Sequence, residues 1–116
     1  MIAIRGAITI KKDTPEEIRV ASVKLVREMI EVNHLDINRL ISILFTATTD
    51  IRSPYPGKFA REALELSDVA ILHFQEMYVE ESLERCIRVL MYYEDLIKPV
   101  PVYLDGATKL RPDLFP

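Results

Sequence analysis

The sequence has one cysteine, Cys86, so no disulfide can close within the chain and no multi-cysteine zinc cluster can be built from it. A reducing cytoplasm is the expected setting. There is no basic excess either: 15 Lys and Arg stand against 18 Asp and Glu, a formal net charge of -3. That balance, with a pI near 5.4, argues against a nucleic-acid or anionic-membrane surface. Any anion is then held by a few placed residues rather than by a field. The apolar runs fall well short of the ~20 residues a membrane helix needs, and the amino terminus lacks the charged, apolar, small-residue order of a signal peptide. We find no Ser/His/Asp order, HExxH pair, phosphate-binding glycine loop or dinucleotide fingerprint, so nucleophilic, metal and nucleotide chemistries have no motif behind them. No internal repeat, domain boundary or low-complexity tract interrupts the chain.

What is present is apolar pattern. With 116 residues and 49% hydrophobic content, the chain reads as one domain, 1–116, whose core is small enough that neighbouring subunits are expected to help. The β-branched run from Ile2 to Ile10 reads as a buried strand. Thr14-Pro15-Glu16-Glu17 then gives a capping hydroxyl, a proline at the first helical position and a glutamate at the third, which start a helix running to about Val32. Asp36 caps a short turn over Ile37 to Arg39, and Leu40 to Thr48 is a second strand. The loop Thr49 to Gly57 is stiffened by Pro54 and Pro56. Lys58 to Leu66 reads as a second helix, Asp68 to Glu76 as a third strand and Glu80 to Arg85 as at least one helical turn. Strands Cys86 to Tyr93 and Val102 to Leu104 follow, and the carboxyl end, Ala107 to Pro116, shows no regular element. The order predicts an α+β fold: a mixed five-stranded sheet with two main helices on one face. The bare face is expected to pack against copies of the chain.

Two arginines are out of place in this pattern. Arg5 sits within Ile2 to Ile10 and Arg88 within Cys86 to Tyr93, both where core is expected, and a buried guanidinium is costly unless an anion meets it. The pair suggests a small anionic ligand, with a structural salt bridge to Glu76 or Asp50 as the plainer reading. Glu76 by itself reads as an exposed strand end, Tyr103 as a core aromatic and His73 as a hydrogen-bonded core histidine. Whatever chemistry occurs uses arginines, a glutamate and hydroxyls.

Six stretches taken together carry a resemblance. Ile4-Arg5-Gly6-Ala7-Ile8-Thr9, Phe45-Thr46-Ala47-Thr48-Thr49-Asp50-Ile51, Tyr55-Pro56-Gly57-Lys58-Phe59-Ala60-Arg61-Glu62, Gln75-Glu76-Met77, Cys86-Ile87-Arg88-Val89-Leu90, and Val102-Tyr103-Leu104 with Leu110-Arg111-Pro112-Asp113-Leu114 resemble, in order and spacing, the monofunctional chorismate mutases of the AroH class. The resemblance implies a homotrimer with a barrel-like core and a site in each cleft between subunits. It also implies a cofactor-free and metal-free rearrangement of chorismate to prephenate on the shikimate route to phenylalanine and tyrosine. Arg88 would then donate to the breaking ether oxygen. Arg5 would hold a carboxylate with Tyr103, and Glu76 would accept from the ring hydroxyl beside Gln75. Tyr55, Gly57, Lys58, Arg61 and the stretch Ile71, Leu72, His73 and Phe74 would come from the neighbouring subunit, while Leu110 and Arg111 would close the site. The chain departs from the family at His73, often a small residue such as cysteine, at Leu72, often polar, and at Gly57, usually alanine. A non-catalytic trimeric module binding a small carboxylate is the alternative, and another reaction on a similar fold is a further one.

Overall fold

The computed structural model describes residues 1–114; Phe115 and Pro116, part of the carboxyl end read above as irregular, lie outside the described residues. Strand β1 (Ile2–Thr9) leads into helix α1 (Pro15–Val32), a 3-10 turn (Ile37–Arg39), β2 (Leu40–Ala47), α2 (Pro56–Ala63), β3 (Ala70–Gln75), β4 (Cys86–Tyr93), β5 (Val102–Leu104) and a second 3-10 helix (Asp105–Leu110). The strands form one mixed sheet in the order β3-β2-β4-β1-β5. β4 runs antiparallel to both β1 and β2, whereas β5 is parallel to β1 and β3 to β2.

Local chemistry explains most boundaries. The Glu17 amide donates to the Thr14 hydroxyl (3.2 Å), and the Glu17 carboxylate reaches back to the Lys11 amide (3.0 Å), so both ends of the capping segment are tied. At the other end of α1, Asn33 Nδ2 donates to the Met29 carbonyl (2.9 Å) and the Val100 carbonyl (3.0 Å). The Val100 amide returns a bond to Asn33 Oδ1 (2.7 Å). The linker before β5 is thereby fastened to the helix end.

Three expectations are corrected. α2 starts at Pro56, not Lys58, because proline fits the first helical position, and it stops at Ala63, just before Glu65 takes a left-handed backbone (φ 55°). The segment 80–85 is not helical: Glu81 and Arg85 both have positive φ, 62° and 44°, which breaks any helical run. Ala107 to Leu110, the start of the carboxyl end expected to be irregular, belong to a 3-10 helix over Asp105–Leu110 whose Gly106 amide donates to the Thr9 hydroxyl (2.9 Å) and so ties it to β1.

Alternation sorts the strand side chains. Ile4 and Ile8 of β1, Ile43 and Phe45 of β2, and Ile87 and Met91 of β4 are buried beneath α1 residues Ile18, Leu25 and Met29. Each such side chain is worth about 1.5–3 kcal/mol of apolar burial. Gly6 lies on this covered side, and a Cβ there would come within 2.4 Å of Met29 Sδ. Among the described residues the opposite face carries no α-helix, and the 3-10 helix covers only its Ala7 and Tyr103 end. Leu72 and Phe74 are 60% and 51% exposed on it.

Candidate active site

The strand register builds one transverse row across the open face. Tyr103 of β5 pairs with Ala7 of β1, Ala7 with Arg88 of β4, Arg88 with Thr46 of β2, and Thr46 with Phe74 of β3. The next row is Arg5, Leu90, Leu44 and Leu72. Because the period along a strand is two, Arg5 and Arg88 necessarily emerge on the same side of the sheet. A cavity of about 390 Å³ occupies this face, lined by Arg5, Arg88, Glu76, Tyr103, Leu110 and Arg111 together with Thr46 and Phe74.

The premise that these arginines are buried is corrected in the single chain. Arg5 is exposed and the Arg88 side chain is 50% exposed, since both stand on the uncovered side. The plainer reading of Arg88 also holds in part: its Nε lies 3.3 Å from Glu76 Oε2. Asp50, the other suggested partner, instead takes the Arg85 amide (2.9 Å to Oδ2). Glu76 is positioned twice, by its own amide donating to the Ala47 carbonyl (2.9 Å) and by Thr46 Oγ1 donating to Oε2 (2.7 Å). Thr46 was not foreseen as a site residue. Its signal was positional: it faces Arg88 across the sheet once β2 and β4 are paired.

Arg111 enters from the carboxyl end through a bidentate pair with Asp113, Nε to Oδ1 at 3.0 Å and Nη2 to Oδ2 at 2.8 Å. The hydrogen bonds to Asp113, together with Tyr103, raise the pKa of Arg111, and Arg111 holds the Asp113 carboxyl below the usual aspartate range. Around the cavity three guanidinium groups face one lining carboxylate. Arg5 has no ion-pair partner among the described residues. The arrangement is suited to a small, multiply charged anion. Buried Cys86, on the same strand as Arg88, has its thiol pushed up to about 11 by burial and offers no nucleophile.

The remaining expected residues lie apart from that cavity. His73 and Ile71 are on the covered face while Leu72 and Phe74 are on the open one, so the stretch 71–74 does not present a single wall. His73 Nε2 accepts the Gly57 amide (2.9 Å), and the imidazole stacks on Phe45 and meets the Tyr55 ring at 4.9 Å. Tyr55, His73, Phe74 and Gln75 border a second space of about 290 Å³. Lys58 and Arg61 are exposed on α2. Among the described residues no group of three His, Cys, Asp or Glu side chains is placed to hold a metal ion, and no helix is long and apolar enough to cross a membrane.

The family described as "Chorismate mutase type I" matches residues 1–114. The chain belongs to the type I chorismate mutases. It is 38% identical over 116 residues to Chorismate mutase AroH of Bacillus subtilis (strain 168), covering 96% of this chain and 90% of that protein. It is 39% identical over 117 residues to Chorismate mutase AroH of Thermus thermophilus, covering 96% and 93%. A solved chorismate mutase from Clostridium thermocellum superposes with a TM-score of 0.90 at 37% identity, covering 94% of this chain and 99% of that one. Family and fold therefore agree with the cluster of arginines, and a non-catalytic carboxylate-binding module is not favoured.

Proposed function

We propose that the protein converts chorismate to prephenate, as an isomerase of aromatic amino acid biosynthesis, in clefts between the subunits of a cytoplasmic homotrimer whose subunit is one domain. The observation that carries this reading is the cavity in which Arg5, Arg88, Glu76, Tyr103 and Arg111 converge. Chorismate carries two carboxylates, and its rearrangement is an intramolecular shift of bonds without proton transfer or a covalent intermediate. The site then has two tasks, to select the compact conformer and to stabilise the charge that separates as the ether bond breaks. Arg88 donates to the ether oxygen as negative charge grows there. Glu76, fixed by Thr46, accepts from the ring hydroxyl and holds the Arg88 guanidinium in place. Arg5 and Tyr103 bind one carboxylate, while Arg111, supported by Leu110 packing near Tyr103, offsets the other.

The trimer is supported by the bare sheet face. Leu72 and Phe74 stand exposed beside half-buried Leu44, Leu90 and Tyr92, an apolar area that a neighbouring subunit would cover. Covering it also takes Arg5 and Arg88 out of bulk water, which strengthens their electrostatics. Each subunit in addition carries the group around Tyr55, Gly57, Lys58, Arg61 and Gln75 away from its own cavity, where it can wall the cleft of the next. The test is direct: mix purified protein with chorismate, follow loss of its diene absorbance, and repeat after EDTA, with sedimentation run in parallel. Turnover that survives EDTA in a trimeric species is the expected result. No turnover, or activity in a monomer, overturns the reading.

A further inference from the structure

Helix α2 begins without a side-chain cap of its own. Tyr55, the residue at its N-cap, contributes no capping hydrogen bond, and Pro56 has no amide proton to satisfy. The first free donor is the Gly57 amide, and it is met from another element, by Nε2 of His73 on β3 at 2.9 Å. The acceptor role requires a neutral imidazole with its proton on Nδ1. Contact between the two residues is close. A Cβ at position 57 would lie 2.8 Å from His73 Nε2 and 2.8 Å from Ile71 Cγ2, so the glycine is what lets this helix start approach the ring. Phe45, buried in the core, stacks on the ring at 5.3 Å and 22°, and Tyr55 lies against it at 4.9 Å. Core, edge strand and helix start are thus joined at one imidazole.

We propose that His73 is a positioning residue: through the Gly57 amide it fixes the start of α2, and with it Tyr55 and Lys58, in the wall offered to the neighbouring subunit's substrate. The inference rests on the reading of the site as lying between subunits. Protonation would exchange the acceptor for a second donor facing the Gly57 amide and would place a positive charge at the positive end of a helix. Among the described residues no counter-charge offsets this. β2 carries no charged residue, and Lys58, Arg61 and Glu62 of α2 and Asp50 and Arg52 of the preceding loop are solvent-exposed. Tyr55 is the titratable group whose ring touches the imidazole. Burial, accordingly, lowers the pKa of His73 below that of an ordinary histidine. The contribution of this contact is complete above the free-histidine value of about 6.5 and is lost as pH falls through the lower, folded value.

The test begins without substrate. In the full-length protein, NMR titration should show the Gly57 amide shifting with the same midpoint as the His73 ring; independent midpoints overturn the proposal. In steady-state kinetics on chorismate, His73→Leu should raise KM about tenfold at pH 7.5 with kcat within about twofold. His73→Gln, which keeps a non-titrating acceptor, should recover most of that loss and flatten the rise in KM expected of the wild type as pH falls through the lowered His73 value. Gly57→Ala should be harmful beside histidine, and Gly57→Ala/His73→Ser should recover only part of that loss, since the contact with Ile71 Cγ2 at 2.8 Å remains. A fall in kcat at constant KM, or additivity in that double variant, overturns the proposal. A monomeric or inactive wild type sinks the intersubunit reading instead, and the NMR titration still decides the role of His73.

Discussion

Arg88 and Thr46 meet at a single atom. Standing opposite one another on β4 and β2, they approach Glu76 Oε2 together, the guanidinium Nε at 3.3 Å and the threonine hydroxyl at 2.7 Å. The carboxylate is therefore held from two sides, and it in turn fixes the arginine proposed to act on the ether oxygen. Removing the threonine hydroxyl while keeping the strand's β-branched shape isolates this arrangement. A hydrogen bond to a charged group contributes about 1.5–3 kcal/mol. We expect Thr46→Val to lower kcat roughly tenfold or more with the fold intact; unchanged turnover would show that Glu76 needs no second support.

The Arg88 side chain is half exposed on the bare sheet face, so its loss removes no core packing. Arg88→Ala should keep its circular dichroism and sedimentation but lose kcat by at least 10²–10³, about 2.7–4 kcal/mol, as for removal of one donor to a developing oxyanion. Arg88→Lys should recover little, because an ammonium cannot serve Glu76 and the ether oxygen in the planar geometry of a guanidinium. Near wild-type turnover in either variant removes the mechanism.

The covered face gives the opposite kind of expectation. Gly6 lies under α1, and a methyl group there would meet Met29 Sδ at 2.4 Å and Leu25 Cδ1 at 3.2 Å, both from fully buried side chains. Gly6→Ala should destabilise the chain by about 1–3 kcal/mol, the usual range for overpacking. Its urea midpoint reads this directly, and an unchanged midpoint would mean that Met29 repacks freely.

Much of this was legible in the chain because the relevant signals are local. Thr14-Pro15-Glu16-Glu17 announces α1 by cap chemistry, and the alternation around Arg5 and Arg88 marks two strands with an intrusive charge. Burial was misjudged for both arginines, since a one-dimensional pattern shows that a residue alternates with core but not which face carries the helices. Thr46 was missed for a related reason: its role exists only through pairing with a strand some forty residues away. His73 and Gly57 appeared as two separate departures from the family, whereas contact at 2.9 Å makes them one feature. The segment 80–85 was misread because its polar composition suits a helix while its backbone turns left-handed at Glu81 and Arg85.

Asp13 offers a test of pH dependence away from the site. Its carboxylate accepts the amides of Arg52 (2.8 Å) and Ser53 (3.0 Å), pinning the proline-rich loop ahead of α2. Desolvation works to raise its pKa, but the hydrogen bonds from Arg52 and Ser53 prevail and leave it lowered. The resulting stability is present above the ordinary aspartate value of about 3.9 and is lost as pH falls through the lower, folded value. Asp13→Ala should therefore reduce the urea midpoint at pH 7 and narrow the gap from wild type as the pH is taken toward 3. A gap that stays constant with pH would assign the loss to something other than the carboxylate charge.

Arg111 and Asp113 form a bidentate pair at the cavity mouth, and the pair lies in the carboxyl segment rather than on a strand. In the proposed role a cation held there would meet a substrate carboxylate before and during the reaction alike, so its contribution would be uniform binding rather than transition-state stabilisation. Arg111→Ala should raise KM about tenfold and leave kcat within about twofold. Asp113→Ala should raise KM less, since the guanidinium remains but loses its fixed orientation. Because Asp113 acts only through Arg111, the double variant should match Arg111→Ala rather than add to it. Additive losses would give Asp113 a contact of its own, and a fall in kcat as large as that of Arg88→Ala would move Arg111 into the chemical step.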